Sequence, residues 1–272
     1  MVRISLDLVK FQVSEVLKER SYSCQLLGLW MFNALYAIAG VSFWRGVWFL
    51  LKIDVGIEPF KLLAILLGGL LVLILNEIPG SLISSPLALS NDDFAQLSAR
   101  TTFLQEAPQS STSYWFIFDI LFTNVITRQL VVFCWWSLWS LENKFFFYQN
   151  IDEQSPMISY DSLIVGYAGL LFSTAIDICV LKFTSEHSTT RKVLSIIVTM
   201  LAFFACVNVW RGIWSFLNVY FLPSLDLDAN YIVGHLAGIL SLSGLFLSST
   251  IASDAIVVEA YNGVVCVNYW RQ

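Results

Sequence analysis

The chain carries little charge. Only 13% of its 272 residues are Asp, Glu, Lys or Arg, about half the ~25% of an ordinary soluble domain. So few charges cannot cover a water-facing surface for a chain of this length, which excludes a soluble globular protein. A hydrophobic content of 57% and a mean hydropathy of +0.71 exclude a disordered chain. The net charge of -5 opposes binding to a phosphate backbone, so no nucleic-acid partner is expected. Histidine is scarce, with His187 and His235 alone, and the five cysteines form no CxxC pair. No metal site is expected from so few ligands. Cys134, Cys179 and Cys206 fall inside apolar segments, where a thiol behaves as a small hydrophobe. Cys24 stands at the edge of an apolar run, either as a partly buried thiol or as a palmitoylation site.

Other absences narrow the class further. There is no GxSxG, HExxH or P-loop, and no histidine beside a plausible nucleophile. No enzyme activity, catalytic residue or cofactor is expected. No N-x-[ST] acceptor exists to report topology by glycosylation. The first 20 residues mix Asp7, Glu15 and Glu19 with Arg3, Lys10, Lys18 and Arg20. A cleavable signal peptide has no such interrupted start, so the first span is expected to serve as an uncleaved anchor.

Long apolar runs fill the remainder. A bilayer core of about 30 Å needs about 20 apolar residues in helix. Residues 21–44, 193–210 and 229–253 have no charge, and 60–84, 114–139 and 159–181 have few. Helix is the spanning element that satisfies its own backbone in lipid, and the short alternating segments of a β-barrel are missing. The expected fold is all-α, a polytopic transmembrane helix bundle of about six spans. These are placed at 26–48, 60–84, 114–139, 159–181, 193–218 and 231–252. Residues 1–25 form a cytosolic N-terminal segment with amphipathic spacing (Leu6, Val9, Val13, Val16, Leu17), and 253–272 a cytosolic tail. Residues 142–158 and the turn at 53–58 are read as loops. Orientation follows from the cationic residues. With the N-terminus inside, nine Lys/Arg fall on the inner side and three (Lys52, Lys61, Lys144) on the outer, so both termini are expected in the cytosol.

A local repeat organises the spans. Trp44-Arg45-Gly46-Val47-Trp48 matches Trp210-Arg211-Gly212-Ile213-Trp214, and Trp135-Trp136-Ser137-Leu138-Trp139 is a degenerate copy. Each copy ends an odd-numbered span, which suggests three related helical hairpins. The i,i+4 spacing puts Trp44 with Trp48, and Trp210 with Trp214, on one helix face. The simplest account is an aromatic belt at the membrane boundary, with Arg45 and Arg211 snorkelling toward phosphates. A ligand vestibule or a docking surface for a partner membrane protein are the alternatives.

Ionisable residues inside spans are functional candidates by default. Glu77 precedes Pro79, where the helix should break. Asp119 and Arg128 share the third span about 13 Å apart, too far for a direct bond. His235 in the sixth span is either a packed, hydrogen-bonded histidine or a proton-linked switch. Small residues mark close helix packing: Gly234 with Gly238 as GxxxG, Gly166 with Gly169 and Ser173, and Gly68 with Gly69.

The WRGVW stretch at 44–48 and NVWRGIWSFLNVYFLP at 208–223 resemble the Fuseless family of invertebrate multi-pass membrane proteins. The resemblance covers most of residues 26–252. It implies an integral protein of the presynaptic plasma membrane that organises neurotransmitter release sites and their calcium channels. It brings no catalytic or ligand-binding residues. The expected function is therefore an organiser or accessory subunit of other membrane proteins, in contact with the bilayer. The competing class is a small-solute or ion transporter or channel built on Glu77, Asp119 and Arg128.

Overall fold

A computed structural model describes residues 38–56, 58–76, 78–83, 114–146, 156–185, 188–221 and 227–244. All regular structure among them is helical. Helix α1 covers 38–54, and α2 covers Pro59–Leu75. α3 is Tyr114–Phe122, continued by a widened π turn at Thr123–Thr127 into α4, Arg128–Phe145. α5 is Pro156–Phe183, α6 Thr189–Tyr220 and α7 Leu227–Gly244. α5 and α6 are long and apolar enough to cross a membrane, with windows of mean hydropathy 2.0 and 2.3.

Local chemistry sets the boundaries. Gly56 turns the chain between α1 and α2 at φ +69°, which a residue with a Cβ rarely adopts. Pro59 then opens α2, where a missing N–H costs nothing. α2 stops at Leu75, short of the residue-84 boundary expected for that stretch. Asn76 closes it, its N–H and its Nδ2 both donating to the Val72 carbonyl. Pro79 cannot continue the ladder, and Pro79–Leu82 instead form a short 3-10 turn. That turn is buried, yet its polar backbone is served. Ser81 N–H donates to Ile78 O at 3.1 Å, and Leu82 O accepts from the Trp135 indole at 3.1 Å. Non-helical backbone at membrane depth is tolerated where protein covers it in this way.

Two layers of packing meet at α4 and α6. α1, α2 and α4 share a cluster of Leu51, Leu62 and Trp136, with Trp48 and Ile65 packed against it. α5 lies along α6 in the most extensive helix contact of the described residues. That packed pair joins the fourth apolar stretch to the fifth, across the boundary between two of the hairpins that the repeat suggested. The larger core joins both layers through Val131, Trp135, Leu82, Phe203 and Val207. α4 also runs six residues past the boundary expected at 139, so Glu142 belongs to a helix and not to a loop.

Small residues set the α5–α6 distance. A Cβ on Gly166 would lie 2.6 Å from the Val209 nitrogen, and one on Gly169 would lie 2.9 Å from the Ala205 Cβ. On α6, a Cβ at Gly212 would lie 2.6 Å from Leu163 Cγ. Gly69 makes the equivalent close approach on α2, 2.6 Å from the Cys134 sulfur. The GxxxG of α7 differs. Gly238 has nothing within 4 Å, and Gly234 meets only Phe221 at 3.6 Å.

Candidate functional site

One buried ion pair forms where α4 ends against α6. Glu142 and Arg211 are each 2% exposed at the side chain and form an ion pair through Oε2 and Nη1. The other carboxylate oxygen, Oε1, accepts from Asn208 Nδ2 at 3.0 Å. Asn208 Nδ2 also reaches Phe204 O at 3.0 Å, one turn back on its own helix. Arg211 Nη2 donates to the Trp139 carbonyl at 2.8 Å, and its guanidinium carbon stands 4.8 Å from the centre of the Trp139 ring. One tryptophan thus supplies both a carbonyl acceptor and an aromatic face. The cluster carries no net charge, and both carboxylate oxygens have donors. Partners on both carboxylate oxygens and on both terminal guanidinium nitrogens offset much of the cost of burying the pair.

Helix geometry explains why Arg211 is inside and Arg45 is not. Successive residues on a helix turn by about 100°, so in WRGxW the two tryptophans share one face and Arg and Gly lie toward the other. The two full copies present opposite faces to the core. In α1, Trp44 and Trp48 point inward, against Trp135 at 5.8 Å and Trp139 at 5.9 Å, both edge to face. Arg45 is then outside, 5.7 Å from the Phe49 ring. In α6, Arg211 and Gly212 point inward, and Trp210 and Trp214 are outside at 38% and 55% exposure. The degenerate copy in α4 is enclosed on both sides. Trp135 and Trp136 are buried, and Ser137 is fully covered. The repeat therefore recurs in sequence but not in role. Arg211 is not a snorkelling boundary residue. It is the deepest cation whose partners the structure shows.

The other candidates lie apart from this cluster. Asp119 on α3 is 1% exposed, and Thr123 and Thr127 of the π turn that follows are buried as well. Arg128 is half-buried at the start of α4. Asp119 and Arg128 both engage in interactions of their own. His235 is exposed on α7, so the packed-histidine reading does not describe it. Glu77 lies outside the described residues. Sequence reading missed Glu142 and Asn208. Glu142 follows Trp135, Leu138 and Trp139 at helical spacing, and that continued face was the available signal. Its neighbours Asn143 and Lys144 gave it the look of a solvated loop.

Among the described residues these features define an all-helical protein with two membrane-capable helices and a buried Glu–Arg–Asn cluster between α4 and α6. A family model, Fuseless, matches residues 1–252, and the chain belongs to that family. No curated protein and no solved structure matches it.

Proposed function

We propose that this chain is a six-span integral membrane protein, with both termini cytosolic, that organises other membrane proteins. Its place is the presynaptic plasma membrane, where it supports neurotransmitter release through contacts with calcium channels. The observation that carries this reading is the opposed use of WRGxW. The charges of the α4–α6 cluster are consumed in holding the bundle together, which suits a rigid scaffold better than a conduction path. The same geometry turns Trp210 and Trp214 outward on one face of α6, with Tyr220 exposed farther along the helix. Outward aromatic side chains supply large contact area at low entropic cost, and they are frequent anchors in protein interfaces.

Two measurements test it. Affinity purification of the full chain from native membranes should recover channel or release-site proteins, and Trp210→Ala/Trp214→Ala should cut recovery about tenfold or more at equal expression. Equal recovery would remove the aromatic face, and solute flux in proteoliposomes of the purified chain would favour a transporter instead. Topology is read by an impermeant thiol reagent on intact cells. Cysteine placed at position 148 should react, and cysteine at position 100 should react only after permeabilisation; the reverse would invert the orientation.

A further inference from the structure

An open apolar groove of about 410 Å³ lies between α5 and the first turns of α6. Phe172, Ile176, Cys179, Val180 and Phe183 line it from α5, and Leu194 from α6. Phe172 to Phe183 extends about 16 Å along the helix axis. Positive charge gathers at one end. The Lys182 ammonium stands 5.5 Å from the centre of the Phe183 ring, over a lining residue of the groove. Arg191 precedes Leu194 by one turn of α6 and shares its side of the helix, whereas Lys192 stands about 160° around the helix from Leu194. α6 also begins here, its first turn capped by Ser188 Oγ, which accepts from the Arg191 N–H at 3.0 Å. The start of a helix adds partial positive charge. Residues 182–192 hold three Lys/Arg and one acid, Glu186, a net of +2.

We propose that this groove binds one anionic phospholipid, with an acyl chain along α5 and the net-negative headgroup against Lys182 and Arg191. The proposal rests on the membrane reading above. The order of polarity decides the class of ligand. A slot with apolar walls that ends in cations at a helix end matches an amphiphile that has an apolar tail and an anionic head. A free phosphate would use only the charged end, and a zwitterionic phospholipid, whose choline offsets its phosphate, would gain less from the two cations. Each cation near an anionic lipid surface is worth about fivefold in binding.

The test uses the full chain in nanodiscs of phosphatidylcholine, doped with a phosphatidylserine or phosphatidylcholine probe that has a diazirine in its acyl chain. After irradiation, adducts are mapped by mass spectrometry. Adducts should concentrate on residues 172–183, with phosphatidylserine at least about fivefold ahead of phosphatidylcholine. Lys182→Gln/Arg191→Gln should bring the two probes level, and Ala175→Phe, which fills the groove, should remove both sets of adducts. Adducts spread evenly over the outer faces of α5, α6 and α7 would overturn the proposal, as would a ratio unchanged in the double variant. A second readout needs no variant. Cys179 lines the groove and is exposed. Its alkylation by N-ethylmaleimide should slow about threefold or more when phosphatidylserine, but not phosphatidylcholine, is added to the detergent-solubilised protein. Equal rates with both lipids also overturn it. The membrane reading fails separately, if the full chain is monodisperse in buffer without detergent or lipid.

Discussion

Arg211→Met alone is expected to destabilise the protein by about 3–5 kcal/mol, because it leaves the Glu142 carboxylate buried with no cation. Glu142→Leu should cost a similar amount by stranding the guanidinium. Glu142→Gln should fall between, since an amide oxygen still accepts from Asn208 and Arg211 while the positive charge goes uncompensated. The decisive variant is the double, Glu142→Leu/Arg211→Met. Well-packed apolar replacements of a buried ion pair are often neutral or stabilising. The double variant should therefore recover most of the loss, and Asn208 keeps its bond to Phe204 O. Arg45→Met, the same substitution in the other copy of the motif, should stay within about 0.5 kcal/mol of the parent. Thermal unfolding followed by circular dichroism in one detergent, at one protein concentration, gives all five numbers. Strictly additive single effects would show that Glu142 and Arg211 do not interact.

That contrast also marks how far the sequence could be read. Helices were legible because lipid-scale apolar runs leave few alternatives, and the break before Pro79 followed from the ring's missing N–H. Close packing was legible at Gly166 and Gly169, where small residues recur at helical spacing. The facing of each helix was not. WRGVW and WRGIW are nearly identical strings, and nothing inside either one says which side meets the core. That depends on what stands opposite. Trp135 and Trp139 of α4 offer edges and faces to the indoles of α1, and Glu142 offers a charge to α6. A motif read alone is compatible with both outcomes, and its partners are about 70 to 90 residues away in the chain. The same limit hid Glu142. An acid next to Asn143 and Lys144 reads as solvated until a cation on another helix is known to face it. Conversely, Gly234 and Gly238 repeat the spacing that closes α5 on α6, yet Gly238 meets no other helix among the described residues.

Gly212→Ala should be the most damaging change among the described glycines, together with Gly166→Ala. At Gly166 the new Cβ would stand 2.6 Å from the Val209 nitrogen. At Gly212 it would stand 2.6 Å from Leu163 Cγ and 2.8 Å from the Leu163 nitrogen. Both clashes involve backbone, which no rotamer change relieves, so α5 and α6 must separate. Overpacking of this kind costs about 1–3 kcal/mol, and movement of whole helices puts these two sites at the upper end. Both glycines lie in one helix contact, and once the helices have parted the second Cβ has less left to displace. The pair Gly166→Ala/Gly212→Ala should then cost clearly less than the sum of the single changes. Gly46→Ala is the matched control, because it occupies the same motif position as Gly212 and has nothing within 4 Å. It should be neutral or stabilise slightly, by up to about 1 kcal/mol, through helix propensity. Separation of α5 from α6 would also pull Arg211 away from Glu142, since Gly212 is its direct neighbour. In the Glu142→Leu/Arg211→Met background, the cost of Gly212→Ala should therefore drop, because no ion pair remains to be broken. An unchanged cost there would show that the glycine contact and the charge cluster act independently.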